Sequence, residues 1–464
     1  MKRRTLLAVL ILLVGAFAFA AASCGGDDDE GDGETPAQTG EGQAAGDNQV
    51  TALPSASCEA VEYEGDGEAD VLIATDLPMQ GSSRTQTVQM VEAVRFVLEQ
   101  HGWKAGGLDI GYQACDDSTA QAGKWDSGKC SQNAQAYAQN SDVVGVIGTF
   151  NSGCAAIEIP VLNQAPGGGV AMVSPANTFV CLTEAGPGCA NDEPDKYYPA
   201  GTRNYIRMVA HDAYQGAAVA QFAQGLGIES VYVLNDKEAY GLGVAENFRN
   251  AAESLGIEIS GFAAWDPKAS SYEALMNTIE GTGAQAVFLG GLICENGGQV
   301  IKDKVAVLGD NVEDPAQGVV LLAPDGFTTQ ATIDEAGAAS AGMFSSVAGV
   351  PADQLTGSGK EFVDSFMAET GAEPPLEPYT AYAAQSAEVL LAAIDTAATA
   401  ERGPIVEALF QTTVQGGILG DFEINENGDP SVGPVTIYVA GDAFDTHEVI
   451  TPEAELVEAA KAGG

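Results

Sequence analysis

Ser152 and Cys154 stand two residues apart in Asn151-Ser-Gly-Cys154, after an apolar run and before a helical one. A hydroxyl or thiol at a helix start can serve as a nucleophile, because unpaired N–H groups there stabilise negative charge. Acyl transfer would also need a base. The three histidines, His101, His211 and His447, lie far apart with no carboxylate pattern attached. Surface or capping roles suit them better. Capture of an anion by the Ser152 hydroxyl and the same N–H groups explains the placement without covalent chemistry.

Other reactive patterns are absent or incomplete. The sequence holds no His-Glu-x-x-His, no Gly-x-Ser-x-Gly and no Cys-x-x-Cys. Gly357-Ser-Gly-Lys360 has Glu361 where a phosphate loop needs Ser or Thr, and no glycine lies five residues before Gly359. A turn entering a helix is expected there instead. Gly241-Leu-Gly243 lacks the third glycine of a dinucleotide fingerprint. No cofactor and no metal site are expected.

Eight cysteines are present. Apart from Cys24 an odd number remains, so one is unpaired or bonds another chain. Cys181 and Cys189 flank a short loop and are expected to form a disulfide. Cys115 and Cys130 bracket a second polar loop and are the next expected pair. Cys58, Cys154 and Cys294 are left unassigned.

Residues 1–24 read as an export signal: Lys2-Arg3-Arg4, an apolar stretch over 6–19, then Ala21-Ala22-Ser23 before Cys24. Two readings stand. In one the signal is simply cleaved and Cys24 is incidental. In the other the segment resembles a lipobox, with Ala21 where that motif usually has Leu, and Cys24 carries diacylglycerol. The protein is then exported and anchored by lipid to the outer face of the bacterial cytoplasmic membrane. Residues 25–67 are rich in Gly, Ala, Thr and acids, with no Lys or Arg between Arg4 and Arg84. Such a stretch buries too little apolar area to offset chain entropy, so an extended acidic tether is expected.

Over all 464 residues, 65 acidic side chains face 19 basic ones, a formal charge of −46. Without the three basic residues of the signal the balance is 65 against 16, or −49. That excludes nucleic-acid binding, which needs a cationic surface to displace counterions. At 45% hydrophobic residues the chain has enough apolar material for two or more compact domains.

The elements that must position these residues alternate. Apolar strand-like runs occur at 70–75, 108–113, 143–148, 170–173, 230–234, 258–262, 286–290 and 319–323. Helical periodicity falls between them, at 85–101, 132–139, 155–164, 211–226, 241–255 and 272–280, and later at 359–370, 379–399 and 404–411. A closing hairpin is expected from 420–424 and 435–439. Continuous apolar strands separated by helices point to an α/β protein with parallel sheets covered on both faces. The pattern restarts near residue 211, so two similar lobes are expected. Ligands of such sheets gather beyond the C-terminal strand ends.

Five motifs then resemble, in order and spacing, the leucine/isoleucine/valine-binding type of periplasmic substrate-binding protein. They are Val146-Ile-Gly-Thr-Phe-Asn-Ser152, Val173-Ser-Pro-Ala-Asn-Thr178, Ile206-Arg-Met-Val-Ala-His-Asp-Ala-Tyr-Gln-Gly216, Asn235-Asp-Lys-Glu-Ala-Tyr-Gly-Leu-Gly243 and Leu322-Ala-Pro-Asp-Gly326. The resemblance covers 68–445. It implies a type 1 periplasmic-binding fold, two doubly wound parallel-sheet lobes joined by a three-crossing hinge near Met208, Ser345 and Ile437. Lobe 1 would comprise 68–208 with 346–436, and lobe 2 would comprise 209–345 with 437–464. By position, Ser152 resembles the serine that holds a ligand carboxylate. Ala176 and Thr178 resemble the pair offering backbone and side-chain contacts, and Tyr240 the second-lobe tyrosine over the ligand. Asp325 falls where the family has a glutamate for the α-ammonium, one methylene shorter. Asn151 and Asn177 add amides, and Leu292-Ile-Cys294 stands where the family often has tyrosine.

The function implied is a non-enzymatic lipoprotein that binds a small polar solute between its lobes and delivers it to an ABC importer's membrane permease. The ligand class implied is an amino acid, branched-chain or related. Two other classes remain: a sensory receptor with the same fold, and an exported hydrolase using Ser152 or Cys154.

Overall fold

The computed structural model describes residues 50–186 and 188–462. The expected export signal, Cys24 and the tether up to residue 49 lie outside the described residues. Among the described residues no helix is long and apolar enough to cross a membrane.

Two twisted sheets organise the chain. The first runs Lys104–Ala105, Leu108–Asp116, Val71–Leu77, Val143–Gly148, Ala171–Ser174, Tyr205–Arg207 in spatial order. All neighbours are parallel except the first pair, which is antiparallel. Every residue of Val71–Leu77 and Val143–Gly148 is buried, as expected for central strands covered on both faces. The second sheet runs Glu258–Ala264, Ser230–Asn235, Ala286–Gly290, Val320–Ala323, Phe344–Ala348, Val435–Ala440, Phe444–Ile450. Its first five strands are parallel and its last two antiparallel.

Connections between lobes follow from this order. From Tyr205–Arg207 the chain enters helix Asp212–Gly225, whose apolar face joins the second core. After Phe344–Ala348 it returns to the first lobe. There helices Ser358–Thr370, Thr380–Ala397 and Arg402–Leu409 bury Phe362, Phe366, Leu390 and Leu409 against the first sheet. Val435–Ala440 then brings it back. Each fully buried Leu, Ile or Val side chain contributes about 1.5–3 kcal/mol.

Charged side chains from distant segments close the helix ends. Arg402, 5% exposed, donates from Nε to the Val143 carbonyl at 2.9 Å and from Nη1 and Nη2 to the carbonyls of Ala138 and Tyr137 at 3.0 Å. The latter two belong to the last turn of helix Ser127–Gln139, where carbonyls lack partners within the helix. Arg207, fully buried, donates from Nε to Asp429 Oδ1 at 2.6 Å and from Nη1 to the carbonyls of Asn177 and Phe179. It thereby ties the segment around Thr178 to the chain near the third crossing.

Three expectations are corrected. The tether does not reach residue 67. Glu62 pairs with Tyr112 in an antiparallel bridge, Leu53 N–H donates to Gln113 Oε1 at 2.6 Å, and Arg95 Nε donates to Glu62 at 2.5 Å. The acidic composition of this stretch hid Leu53, Cys58 and Val61, which pack on the first lobe. Cys115 does not pair with Cys130. The bonds are Cys58–Cys115, Cys130–Cys154 and Cys181–Cys189, the last as expected, with Cys294 free among the described residues. Sheet register sets Cys115 against Cys58, and packing of two helices sets Cys130 against Cys154. The closing hairpin is likewise replaced: Gly420–Glu423 pairs with Thr413–Gly417, and Val435–Ala440 with Phe344–Ala348 and Phe444–Ile450. Strand-like runs close in sequence here serve different sheets.

The Cys58–Cys115 bond closes a loop with a sequence separation of 57. Replacing both cysteines with Ala is expected to lower unfolding free energy by about 4 kcal/mol through the entropy of the released loop. Denaturant titration measures this, and limited proteolysis should then cut first between residues 50 and 66. An unchanged midpoint would mean that the strand-like docking holds the segment without the bond.

Candidate functional site

Between the C-terminal strand ends of the two sheets lies a narrow cleft, partly open to solvent, with a cavity volume of about 20 Å³. Its walls include Trp125, Asn151, Ser152, Ala176 and Thr178 from the first lobe, and Tyr240, Leu292 and Asp325 from the second.

On the first-lobe side, helix Ser152–Asn163 begins immediately after the strand Val143–Gly148 and its short loop. Its first residues, Ser152 and Gly153, border the cleft, and Ser152 is 4% exposed with Oγ accepting from Phe179 N–H at 3.3 Å. The positive end of the helix suits a carboxylate. Gly153 is required by packing. A Cβ there would sit 2.6 Å from the Trp125 ring, which lies over the helix start. Asn151 Oδ1 and Trp125 Nε1 are buried without protein partners. Ser174 Oγ accepts from the N–H groups of Ala176 and Asn177, which turns the chain so that Ala176 and Thr178 border the cleft.

On the second-lobe side, Asp325 follows the strand Val320–Ala323 and the Pro324 turn. Its Oδ1 accepts from Tyr240 Oη at 2.5 Å and Gln215 Nε2 at 2.8 Å, and its Oδ2 from Tyr379 Oη at 2.8 Å. Tyr379 belongs to the first-lobe core, so this carboxylate bridges the lobes. Burial raises its pKa, and the Tyr240, Gln215 and Tyr379 hydrogen bonds pull it back down. Asp212, first in its helix, is pushed well above the ordinary range by burial and then by the charge of Asp325. The three donors around Asp325 offset part of the cost of burying its charge, whereas Asp212 has less such compensation and is raised further.

A further buried acid shapes the second wall. Asp236 accepts from the N–H groups of Glu238 and Leu292, both at 2.9 Å, and burial raises its carboxyl to about 7. A Cβ on Gly241 would lie 2.1 Å from Asp236 Oδ1 and 2.7 Å from the Gly290 carbonyl. The glycines at 241 and 243 thus serve close packing of the helix Ala239–Ser254, not a phosphate. Across the cleft mouth Lys124 of the first lobe pairs with Glu295, which is 3% exposed, and lies 3.6 Å from Glu238.

Of the residues named from sequence, Ser152, Ala176, Thr178, Tyr240, Asp325 and Asn151 border this one cleft. Asn177 does not. Its Nδ2 donates to the carbonyls of Thr149 and Phe150, and its Oδ1 accepts from Tyr205 Oη, so its amide braces the loop. Trp125, Phe150, Glu238, Gln215 and Tyr379 were not singled out. Gln215 sat in a quoted motif, whereas nothing in the sequence ties Trp125 or Tyr379 to residue 325. As for nucleophiles, Cys154 is bonded to Cys130, and among the described residues no histidine borders the cleft.

Known proteins are similar to this chain over most of its length. A family model described as "Periplasmic binding protein" matches residues 71–442. A Leu/Ile/Val-binding protein homolog 1 of Brucella abortus is 23% identical over 382 residues, covering 82% of this chain and 92% of that protein. The crystal structure of a leucine-binding protein LivK from Thermotoga maritima covers 82% of this chain and 99% of its own, at 22% identity and a TM-score of 0.69. A solute-binding protein of an ABC transporter from Rhodopseudomonas palustris HaA2, complexed with p-hydroxybenzoic acid, covers 83% and 98%, at 15% identity and a TM-score of 0.67. At these identities the structures speak for the type 1 periplasmic-binding fold alone. The family match over most of the chain, on two sheets that meet at one polar cleft, makes this protein a member of the periplasmic binding protein family.

Proposed function

We propose that the protein is an extracytoplasmic solute-binding component of an ABC importer, and that its ligand is an α-amino acid with an apolar side chain. The observation that carries this is Asp325, a buried carboxyl group that accepts hydrogen bonds from three donors and faces the same cleft as the Ser152 helix start. A zwitterion needs both of its charges met once water is excluded, or desolvation outweighs binding. The Ser152 and Thr178 hydroxyls with the helix N–H groups suit the carboxylate, and Asp325 suits the ammonium. Trp125, Phe150 and Leu292 leave an apolar wall for the side chain. Relatives named for leucine, isoleucine and valine agree with that choice.

An aromatic carboxylate is the competing ligand, since a neighbour of the same fold holds p-hydroxybenzoic acid. It would leave Asp325 without a cation. Lipid anchoring at Cys24 and a membrane permease as partner belong to the same proposal. A sensory role would use the same closure with a different membrane partner. A thermal-shift screen of amino acids and benzoates tests the ligand class. A ligand at a hundredfold excess over its dissociation constant adds about 2.7 kcal/mol of apparent stability. Stabilisation by benzoates alone would overturn the amino-acid reading.

Asp325→Ala leaves a ligand ammonium uncompensated and is expected to weaken binding by about 3–5 kcal/mol. Ser152→Ala removes a hydrogen bond to a charged group, about 1.5–3 kcal/mol. Calorimetry on both variants should give that order, while a deaminated ligand analogue is nearly indifferent to Asp325→Ala.

The raised Asp325 value also sets a pH dependence. Only its anion pairs with an ammonium, so affinity should fall as pH drops through that value. In the empty protein the sign is opposite. Protonation of Asp325 stabilises the fold at low pH, and this contribution is lost as pH rises through the folded value. Asp325→Asn should abolish the acid fall in affinity, and a fall that persists would assign it to another group.

Closure depends on Lys124. Lys124→Ala strands the buried Glu295 and is expected to weaken ligand binding by about 1–2 kcal/mol, reduced from a fully buried pair by the partial exposure of Lys124. Small-angle scattering of the saturated variant should give a larger radius of gyration than wild type at equal ligand occupancy.

A further inference from the structure

Two buried polar atoms belong to residues of the cleft wall and have no partner among the described residues: the indole Nε1 of Trp125 and the amide Oδ1 of Asn151, itself 5% exposed. Buried donors and acceptors are nearly always bonded, so orphans bordering one cleft mark groups that a ligand completes. The indole is the more selective of the two, because Nε1 can only donate.

Trp125 lies in a short hairpin, Ser118–Thr119 against Lys124–Trp125, placed between the strand Leu108–Asp116 and the helix Ser127–Gln139. None of the five motifs that carry the family resemblance includes it. The hairpin is nonetheless fixed at several points. Asp116 Oδ1 accepts from Ser118 N–H at 2.8 Å, and Asp126 N–H donates to the Asp117 carbonyl at 2.9 Å. Asp126 Oδ1 then caps the following helix through Lys129 N–H at 3.0 Å. Lys124, next to Trp125, reaches Glu295 and Glu238 on the opposite lobe. The orientation of the ring follows from Gly153. A Cβ built there would meet Cζ2 at 2.6 Å, Cη2 at 2.7 Å and Cε2 at 3.6 Å. Those atoms run along the edge of the indole that carries Nε1, which is bonded to Cε2. That edge therefore lies over the second residue of helix Ser152–Asn163. Ser152 Oγ accepts from Phe179 N–H, so its own hydrogen is left for a ligand.

We propose that Trp125 is a specificity-determining residue of this cleft: its indole N–H donates to the carboxylate of the bound solute, beside the Ser152 hydroxyl, and selects carboxylates over their amides. The inference rests on the solute-binding reading above, but it needs only the carboxylate of the ligand and not the ammonium. A carboxylate is acceptor-only, and its two oxygens have room for several donors. A carboxamide would turn its NH2 against one of them and leave that donor buried and unpaired. A site built to hydrogen-bond one group rejects a close analogue in this way. The Lys124 contacts with the second lobe hold the hairpin over the helix start while the lobes are together, so the indole reaches the ligand as part of closure.

Calorimetry with leucine and leucinamide on wild type and Trp125→Phe tests this. Phe keeps an aromatic ring over Gly153 and removes the N–H. Leucine should bind the variant about 10- to 150-fold more weakly, the loss of one hydrogen bond to a charged group, while leucinamide changes little. An equal loss for both ligands, or no loss for leucine, would mean that the ring only packs, and overturns the proposal. A second measurement uses the wild type alone. In nitrogen–proton correlation spectra the Trp125 indole proton should move downfield when leucine is added, as an N–H donating to an anion does. An unmoved resonance at saturation overturns the proposal as well. The two readings fail separately. If benzoate binds and leucine does not, the amino-acid reading falls, while a loss on Trp125→Phe for benzoate but not for benzamide still supports the indole contact.

Discussion

One carboxylate, Asp325, holds the cleft together. It sits where the two lobes meet and accepts hydrogen bonds from Tyr240 and Gln215 of one lobe and Tyr379 of the other. A buried anion is tolerable only while such donors surround it. Separation of the lobes would remove Tyr379, and a bound cation would add to the remaining donors. The position of this oxygen pair therefore couples lobe geometry to the chemistry of the cleft. Asp212 lies beside it, and burial first and the charge of Asp325 second push its carboxyl well above the ordinary range.

The rest of the first lobe presents the opposite wall rigidly. Arg207 fastens the Thr178 segment from below, and Arg402 closes the helix that carries Cys130 and Tyr137. The Cys130–Cys154 bond joins that helix to the one that starts at Ser152. Buried guanidinium groups can serve several carbonyls at once, since five N–H donors leave in fixed directions. Small glycines at 153 and 241 permit the close approaches on each wall.

Much of the strand and helix order could be read from the sequence, because central strands buried on both faces are continuous apolar runs. Edges were harder. The strand Phe444–Ile450 is largely exposed and alternates little, and Tyr205–Arg207 is three residues long. The run Val435–Ala440 was legible as a strand, yet its partner was not, since register depends on residues ninety positions earlier. The segment 50–66 was hidden by composition: a few apolar side chains, a disulfide and backbone bridging to a sheet edge hold an otherwise acidic stretch.

For the cleft, local motifs named Ser152, Ala176, Thr178, Tyr240 and Asp325, because each stands at a strand end or helix start where backbone geometry restricts the residue type. Trp125, Gln215 and Tyr379 required the fold. By itself the sequence determined the α/β class, the two-lobe repeat, the acidic surface charge and the Cys181–Cys189 pairing, all set by composition or by neighbours near in the chain. Only the tertiary structure decided the other two disulfides, the second-lobe pairing of the last strands and the exclusion of Asn177 from the cleft. Each of those depends on contacts between distant segments, which local periodicity does not record.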